Sequence, residues 1–362
     1  MDNSVNSVEI QNFKSIKNLT FEAKRINVFI GKPNVGKSNI LEALTLLGPG
    51  YSSMKDPNYL KDFLRFEETS NLYYDDDINK DILVSAGDYF ACLKHFNEAS
   101  DSYFLVNTRE RELLNILKNS NNSRLIHDKF YESINSDSPS EYERLYILPN
   151  SVSSFNILSS YNSPFKKYDF KNLKSINHKY SKYLVPPDGN NLFWIVYHNP
   201  SLTEEIGFIL DSYGLQFTLY QKEGRFEIEK KVGFKTYKYP YSSLADTLQR
   251  LIFYYAAIDS NENSILILEE PEVHAFPPYT RSLGSRIVND KKNQYFITTH
   301  SPYLLESLME NPEKDEMNIF LTYYENYETK LKLLSTEELN ELTKFGYDIY
   351  FNLDQLQESN IS

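Results

Sequence analysis

Eight consecutive residues near the N-terminus carry the clearest chemical pattern of the sequence. Residues 31–38, Gly-Lys-Pro-Asn-Val-Gly-Lys-Ser, fit the spacing G-x-x-x-x-G-K-[ST]. Glycines at these two positions permit the backbone angles that turn successive amide groups toward a phosphate. The lysine supplies a charge to the β- and γ-phosphates, and the serine hydroxyl is a ligand for Mg²⁺. The pattern predicts a nucleotide-phosphate site formed by Gly31, Lys32, Pro33, Asn34, Val35, Gly36, Lys37, Ser38 and Asn39.

Two adjacent carboxylates later in the chain supply the other groups that such a site needs. Glu269 and Glu270 directly follow the apolar run 265–268, which has the character of a buried strand. Sheets of α/β proteins bind ligands at the carboxyl ends of their strands. We therefore expect Glu269 to hold the Mg²⁺ and Glu270 to orient or deprotonate the attacking water. The predicted ligands are ATP and Mg²⁺.

A histidine follows the next apolar run along the chain. His300 lies two residues after the end of the run 295–298, which is predicted to form another buried strand. An imidazole at this position can donate a hydrogen bond to the γ-phosphate and so respond to its presence. A single histidine is more often structural, but its place on the strand and loop after the acidic pair favours a role in the site.

Elements of the right kind flank these residues. Residues 26–30 read as a buried strand, and residues 37–47 as a helix, since their apolar side chains recur at helical spacing. Alternating strands and helices return in the second half of the chain, whereas short runs such as 71–74, 82–85 and 89–93 predict an antiparallel patch. The predicted fold is an α/β P-loop ATPase with a mixed sheet, flanking helices, an antiparallel β subdomain and a helical or irregular insertion.

We divide the sequence into four parts. Residues 1–108 and 183–334 are the two halves of the predicted ATPase head, with the insertion between them at 109–182. Residues 335–362 form a tail that is expected to dock on the head or on a partner. Leu202 to Tyr213 and Asp246 to Ala257 are predicted helices, and the runs 215–220, 225–231 and 234–239 are predicted strands.

Composition limits the classes of function. The net charge of −12 over 362 residues argues against a protein that coats itself in basic residues to bind nucleic acid, although a local basic groove is compatible with it. A single cysteine excludes an intramolecular disulfide framework. No apolar run approaches the length of a membrane span, and the N-terminus lacks the character of a secretion signal. We expect a cytoplasmic protein that does not bind membranes.

Four segments together resemble a known group of ATPases. The segments are 10–16 (Ile-Gln-Asn-Phe-Lys-Ser-Ile), 31–38, 268–272 (Leu-Glu-Glu-Pro-Glu) and 299–302 (Thr-His-Ser-Pro). They are similar to motifs of the ABC-type ATPases of the OLD, RecF and SMC lineage, above all OLD-like ATPases of bacterial phage-defence systems. The resemblance covers about residues 5–50 and 183–325. It implies Walker A roles for Lys37 and Ser38, a Walker B role for Glu269, the catalytic base for Glu270 and the switch histidine for His300.

The same resemblance implies an assembly. Heads of this lineage dimerise head to tail around two ATP molecules, and a signature motif from one subunit completes the site of the other. The corresponding stretch here, 241–250, lacks the usual glycine, and Ser242 or Ser243 are expected to cap the helix and meet the γ-phosphate. Slow turnover is expected for that reason. Full-length OLD nucleases carry a C-terminal Toprim domain, for which the residues after 309 are too few.

Several functions fit these observations. The favoured one is an ATPase subunit, in a homodimer or higher homo-oligomer, that senses or gates a separately encoded nuclease or toxin in anti-phage defence. The alternatives are a RecF- or SMC-like ATPase that binds DNA directly and an ATP-dependent scaffold that does not hydrolyse ATP. A transporter ATPase fits poorly, because the signature lacks glycine and segment 12–15 does not match that class.

Overall fold

A computed structural model describes residues 2–48, 59–97, 102–134, 144–149, 163–171, 181–310, 314–339 and 349–358. The strands within these ranges are β1 (Ser7–Phe13), β2 (Ile16–Glu22), β3 (Ile26–Ile30), β4 (Ile82–Ala86), β5 (Tyr89–Phe96), β6 (Ser102–Thr108), β7 (Arg144–Pro149), β8 (Phe165–Tyr168), β9 (Gln216–Tyr220), β10 (Arg225–Val232), β11 (Lys235–Pro240), β12 (Ile265–Glu269), β13 (Gln294–Thr298), β14 (Met317–Glu325) and β15 (Glu328–Leu333). The α-helices are α1 (Lys37–Thr45), α2 (Arg111–Asn119), α3 (Ser123–Ile134), α4 (Leu192–Tyr197), α5 (Pro200–Asp211), α6 (Asp246–Ser260), α7 (Pro277–Asn289), α8 (Pro302–Met309) and α9 (Leu353–Glu358).

A six-stranded mixed sheet forms the centre of the molecule. Its order is β15-β14-β3-β13-β12-β8, and all its neighbouring strands are parallel except the β14–β15 hairpin. The strands β3, β12 and β13 are almost wholly buried, as expected for parallel strands covered on both faces. This sheet places the segments after β3, β12 and β13 at one edge, where the sequence predicts the nucleotide site.

Alternate residues of the central strands face two different cores. Val28 and Leu266 pack with α4 to α8 in one core, whereas Phe29 and Ile267 pack with α1 and the antiparallel sheet in the other. Because successive side chains of a strand point to opposite faces, the central sheet is covered by helices on one face and by a second sheet on the other.

That second sheet is antiparallel throughout, with the order β2-β1-β4-β5-β6-β7. The helices α2 and α3 pack on its outer side, where Leu117 and Ile126 are fully buried against β5 and β6. A third, three-stranded antiparallel sheet, β11-β10-β9, lies between α5 and α6 in the chain. The mixed sheet and the antiparallel β subdomain of the predicted fold are thus confirmed.

Two predictions of local structure were wrong. Residues 71–74 do not form a strand but belong to the 3₁₀ turns Thr69–Leu72 and Tyr74–Asp76, and Tyr73 makes only an isolated bridge to Phe13. The reason is polar turn chemistry: Glu68 and Asn71 form a reciprocal capping box, and Asp75 has a left-handed backbone with φ of 53°.

The segment 109–182 is not only helical and irregular. It contributes β7 to the antiparallel sheet and β8 to the edge of the central sheet, next to β12. The strand β8 was missed because Lys166 and Lys167 interrupt its apolar pattern, although both side chains are buried. Residues 135–143, 150–162 and 172–180 of this segment lie outside the described part of the chain.

Candidate functional site

The phosphate loop connects β3 to α1 in the predicted way, and its glycines are required by its geometry. Gly36 has a left-handed backbone with φ of 96° and directly precedes α1. A Cβ atom at Gly36 would collide with the hydroxyl of Thr329, and one at Gly31 with the carbonyl oxygen of Thr322. The Thr329 hydroxyl lies 2.7 Å from Ser15 Oγ and donates to the carbonyl of Val35. The β14–β15 hairpin therefore holds the loop from one side.

The side chain of Lys37 is turned onto its own loop. Its Nζ donates to the carbonyl oxygens of Gly31 at 2.9 Å and Lys32 at 2.7 Å. Burial lowers the pKa of Lys37 to about 8, against the opposing effect of the nearby Glu270 carboxylate. An anion placed against the amine would favour its charged form, so the position suits a lysine that binds phosphate.

The two predicted ligands of Mg²⁺ meet at the end of β12. The Ser38 side chain forms a hydrogen bond with the Glu269 carboxylate. The same carboxylate pairs with Arg65 at 2.8 Å and with Lys167 at 3.1 Å. Burial by itself would raise the pKa of Glu269, but Lys167, Ser38 and Arg65 together hold it below the ordinary value. Glu269 is therefore an ionised carboxylate with three polar partners beside the phosphate loop.

Arg65 is held in place by a second carboxylate. Glu42 of α1 is fully buried, and its Oε1 accepts from Arg65 Nε at 2.7 Å. Lys14 pairs with the same carboxylate and also donates to the carbonyl oxygen of Arg65 at 2.6 Å. Lys14 lies in the segment that carries the family resemblance, whereas nothing in the pattern around Arg65 points to the site.

The predicted base and the predicted switch histidine face each other. Nε2 of His300 lies 3.5 Å from Oε1 of Glu270. Burial and the charge of Lys37 lower the pKa of His300, whereas Glu270 opposes them. Glu270 has a left-handed backbone with φ of 43°, and its amide donates to the carbonyl of Thr298 at 3.0 Å. This strained conformation is typical of residues at functional sites.

A third carboxylate, Glu272, organises the loop that carries His300. Its Oε1 accepts from Thr299 Oγ1 at 2.6 Å and from the amides of His300 at 2.9 Å and Ser301 at 3.2 Å. Its Oε2 is buried without a hydrogen-bond partner. Burial raises the pKa of Glu272. Glu272 belongs to the motif at 268–272, but only its contacts distinguish it from a residue of an ordinary acidic turn.

One cavity of about 550 Å³ joins Lys37 and Ser38 to Arg65, Glu270 and His300. Within the predicted loop, Val35 is buried, the Lys32 side chain points to solvent, and Asn39 donates to Ser15 Oγ at 2.7 Å. The residues that line the cavity are Ser15, Pro33, Asn34, Gly36, Lys37, Ser38, Asn39, Arg65, Glu270, His300 and Tyr324. Three segments predicted separately from the sequence thus meet around one space.

The signature-like serines lie elsewhere. Ser242 and Ser243 form part of a 3₁₀ turn, and Ala245 rather than either serine is the N-cap of α6, so the predicted cap is wrong. The reason is that Leu244 and Ala245 have extended backbone angles after this turn, so the helix begins only at Asp246. Ser243 lines a different, mainly apolar cavity of about 530 Å³ together with Tyr213, Tyr239, Phe276 and Tyr279.

The ligand atoms at the site fit magnesium bound together with a nucleotide. Within the described ranges, no group of three or more His, Cys, Asp or Glu side chains is arranged to hold a metal alone. Mg²⁺ is usually held by one or two protein oxygens, with water and substrate phosphates filling its other positions. The paired oxygens of Ser38 and Glu269 match that pattern.

Comparison with known proteins decides the family. Residues 26–306, the greater part of the chain, match the family described as "AAA domain, putative AbiEii toxin, Type IV TA system". The chain belongs to this family. The matched range includes the phosphate loop, the acidic pair and His300, and this AAA-domain protein has the predicted α/β P-loop fold with a mixed sheet.

Relatives of this AAA-domain protein are distant. A Helicobacter pylori protein named "ATP/GTP phosphatase" is 24% identical over 344 residues, which cover 84% of this chain and 87% of that protein. An SMC head bound to the C-winged helix domain of ScpA is 13% identical with a TM-score of 0.48, covering 93% of this chain and 99% of that one. The SMC head domain from Thermotoga maritima is 12% identical with a TM-score of 0.41, covering 92% of this chain and all of that one.

Helices in the described ranges are all too short or too polar to cross a membrane. The single cysteine, Cys92, is buried in β5, and burial raises the pKa of its thiol, so it takes no part in the site.

Proposed function

We propose that this chain is a Mg²⁺-dependent ATPase. The observation that carries the proposal is that Lys37, Ser38, Glu270 and His300 line a single cavity, and that Ser38 is hydrogen-bonded to Glu269. A phosphate loop, a metal-binding carboxylate and a second carboxylate at the end of the neighbouring strand are the groups that phosphoryl transfer to water requires. The name of the Helicobacter pylori relative agrees with this activity.

Each residue has a distinct task in the proposed reaction. The loop amides and Lys37 bind the β- and γ-phosphates, and Lys37 exchanges its two carbonyl partners for phosphate oxygens. Ser38 and Glu269 would hold Mg²⁺, which supplies neutralisation of phosphate charge. Glu270 accepts the proton of the attacking water, and the imidazole of His300, 3.5 Å away, orients that carboxylate or donates to the γ-phosphate.

The proposed assembly is a homodimer or higher homo-oligomer with ATP between the heads. The N-terminal end of α6, with Ser242 and Ser243, lies apart from the phosphate cavity of its own chain. These serines would therefore act on the nucleotide of a second copy. We further propose that the chain gates a separately encoded nuclease or toxin in anti-phage defence. The family description, which names a toxin of a toxin–antitoxin system, supports a two-component arrangement.

Two substitutions test the ATPase proposal. Lys37→Ala is expected to abolish ATP binding measured by calorimetry, whereas Glu270→Gln retains binding and loses turnover. The trapped ATP-bound form of Glu270→Gln is expected to migrate as a dimer in gel filtration. Glu223→Gln, in an exposed turn, is the matched control and retains wild-type activity. Hydrolysis at the wild-type rate by Glu270→Gln would show that another group is the base.

A separate experiment tests the effector. Isolated protein is expected to leave DNA and RNA intact in the presence of Mg²⁺ or Mn²⁺. Cells that carry the gene together with its neighbours are expected to resist phage infection, and Lys37→Ala to remove that resistance. Nuclease activity of the purified chain, or phage resistance from this gene alone, would contradict the proposal of a separate effector.

A second candidate function is direct binding of nucleic acid. One observation favours it: the β10–β11 hairpin projects from an acidic chain with exposed Lys230, Lys231 and Lys235 beside the exposed rings of Phe234 and Tyr237. Lysines between exposed aromatic rings suit a single-stranded nucleic acid, whose bases stack on the rings. A gel shift at physiological salt that is lost in the Lys230→Glu/Lys235→Glu variant would favour this candidate over the first.

A further inference from the structure

The C-terminal segment 349–358 crosses the surface beside the nucleotide site. It consists of the 3₁₀ turn Ile349–Phe351 and α9. Leu353 and Leu356 are buried in the main core, and the buried amine of Lys332 in β15 donates to the carbonyl oxygen of Leu356. This segment is thus docked on the head, and it has two polar contacts with loops that form the site.

The first contact reaches the loop that carries His300. The hydroxyl of Tyr350 donates to the carbonyl oxygen of Thr299 at 3.2 Å, and the Tyr350 ring lies 6.3 Å from the His300 ring. Thr299 also donates from its hydroxyl to Glu272. The loop is therefore hydrogen-bonded on two sides, to Glu272 in the core and to Tyr350 in the C-terminal segment.

The second contact reaches the phosphate loop. Asp354 Oδ1 lies 2.6 Å from the Nζ of Lys32, and both side chains are more than half exposed. The carbonyl oxygen of the same Lys32 accepts from Lys37 Nζ. Asp354 consequently pairs with a cation of the loop that binds phosphate and adds a negative charge beside it.

We propose that Tyr350 and Asp354 are positioning residues of the nucleotide site, with opposite effects on turnover and affinity. Tyr350 holds the His300 loop in the arrangement in which the imidazole faces Glu270, and so supports hydrolysis. Asp354 holds Lys32 away from the phosphates, and so weakens nucleotide binding. The inference rests on the proposed ATPase function. If segment 349–358 leaves the head, both contacts are lost, so ATP is bound more tightly and hydrolysed more slowly.

The two contacts predict separable effects. A neutral hydrogen bond of ordinary strength corresponds to a loss in kcat of about 2- to 10-fold for Tyr350→Phe, with the Kd for ATP unchanged. An exposed ion pair corresponds to a Kd that falls by up to about 5-fold in Asp354→Asn, with kcat unchanged. The effect of Asp354→Asn is also expected to vanish at roughly 1 M salt, where exposed charges are screened within about 3 Å.

The experiment uses the full chain and two matched controls. Tyr327→Phe removes an exposed hydroxyl in the turn between β14 and β15, and Gln355→Ala changes the exposed neighbour of Asp354 on α9. Steady-state kinetics give kcat and KM, and calorimetry with a non-hydrolysable ATP analogue gives the Kd at low and high salt. Hydrogen exchange of residues 299–301 reads the loop directly, with faster exchange expected in Tyr350→Phe only.

The outcomes distinguish the inference from its premise. Loss of kcat in one variant and tighter binding in the other, with both controls at wild-type values, supports the positioning roles. Variants that match their controls, or that change kcat and Kd in the same direction, overturn them even if the ATPase is active. If the wild type binds the analogue without hydrolysis, the proposed function fails, while the Kd and hydrogen-exchange measurements still decide the two contacts.

Discussion

Replacement of Glu272 by alanine is the most informative single perturbation of this site. The carboxylate is nearly inaccessible to solvent, and one of its oxygens accepts three hydrogen bonds from the loop that carries His300. Alanine removes all three acceptor contacts at once and leaves the amides of His300 and Ser301 without that partner. The same substitution leaves the phosphate loop and Glu269 untouched.

The magnitude follows from those three contacts. A net hydrogen bond contributes about 0.5–1.5 kcal/mol, and a buried donor left unsatisfied costs about 1–3 kcal/mol. Water that enters the space of the lost side chain recovers part of this cost. We expect Glu272→Ala to lower the free energy of unfolding by about 2–4 kcal/mol and to reduce kcat because the His300 loop loses its internal support.

Glutamine at the same position is the matched control. Because Oε2 of Glu272 has no partner, an amide NH₂ in its place gives up no hydrogen bond, and the remaining oxygen still accepts three. Urea unfolding is expected to show a loss for Glu272→Gln below about 1 kcal/mol, and hydrogen exchange at residues 300 and 301 is expected to accelerate only in Glu272→Ala. Equal losses in the two variants would refute the role assigned to these contacts.

Three further outcomes are expected. Gly36→Ala is expected to abolish ATP binding and to lower the midpoint of urea unfolding, because its φ is 96° and the Thr329 hydroxyl occupies the place of a Cβ atom. Gly207→Ala, at a helix position with open space around it, is expected to stabilise the fold by up to about 1 kcal/mol. Calorimetry measures the binding and urea unfolding measures the stability of both variants. Burial lowers the pKa of Lys166 from 10.5 to about 7. Between these two pH values the unfolded chain binds more protons than the folded one, so the free energy of unfolding rises by about 1.4 kcal/mol per pH unit. Lys166→Met is expected to flatten that slope between roughly pH 7 and 9, as measured by urea unfolding. Arg65→Ala removes one of two cations from the buried Glu42 and is expected to lower the free energy of unfolding by about 1–3 kcal/mol, with Lys61→Ala as an exposed control.

Much of the site could be predicted because its motifs follow buried strands. The apolar runs at 26–30, 265–268 and 295–298 each became a parallel strand of the central sheet, and parallel strands deliver their C-terminal loops to a common edge. Strand order was not needed for this inference. The same logic located Lys37, Glu270 and His300 around one cavity, with Glu269 bonded to Ser38 beside it, whereas their chemical roles stay predictions.

The contacts that were missed come from tertiary structure. The strand β8 has two buried lysines, Lys166 and Lys167, whose amines are satisfied by Asn261, Ser264 and Glu269. A hydrophobic pattern cannot show that a buried amine has such partners, because it assigns every lysine to the surface. Tyr350 and Asp354 were missed for a related reason, because nothing in the tail itself indicates which loop it touches.

The position of β3 in the central sheet has a consequence for synthesis of the chain. β3 is followed at once by the phosphate loop, yet its two neighbours in the sheet, β13 and β14, come much later in the sequence, at Gln294–Thr298 and Met317–Glu325. At roughly 5–20 residues per second, a ribosome needs roughly 15–60 s to make the residues between them. During that interval the nascent chain carries a complete G-x-x-x-x-G-K-S sequence after an apolar strand whose two edges have no strand to pair with.

A nascent or truncated chain therefore has the sequence of the nucleotide loop without its supports, since Thr322 of β14 and Thr329 of β15, which contact the loop, are translated long after it. Open strand edges of this kind invite aggregation and capture by chaperones. The loop thus gains these supports only after residue 329 has been translated, and a product terminated before that residue lacks them.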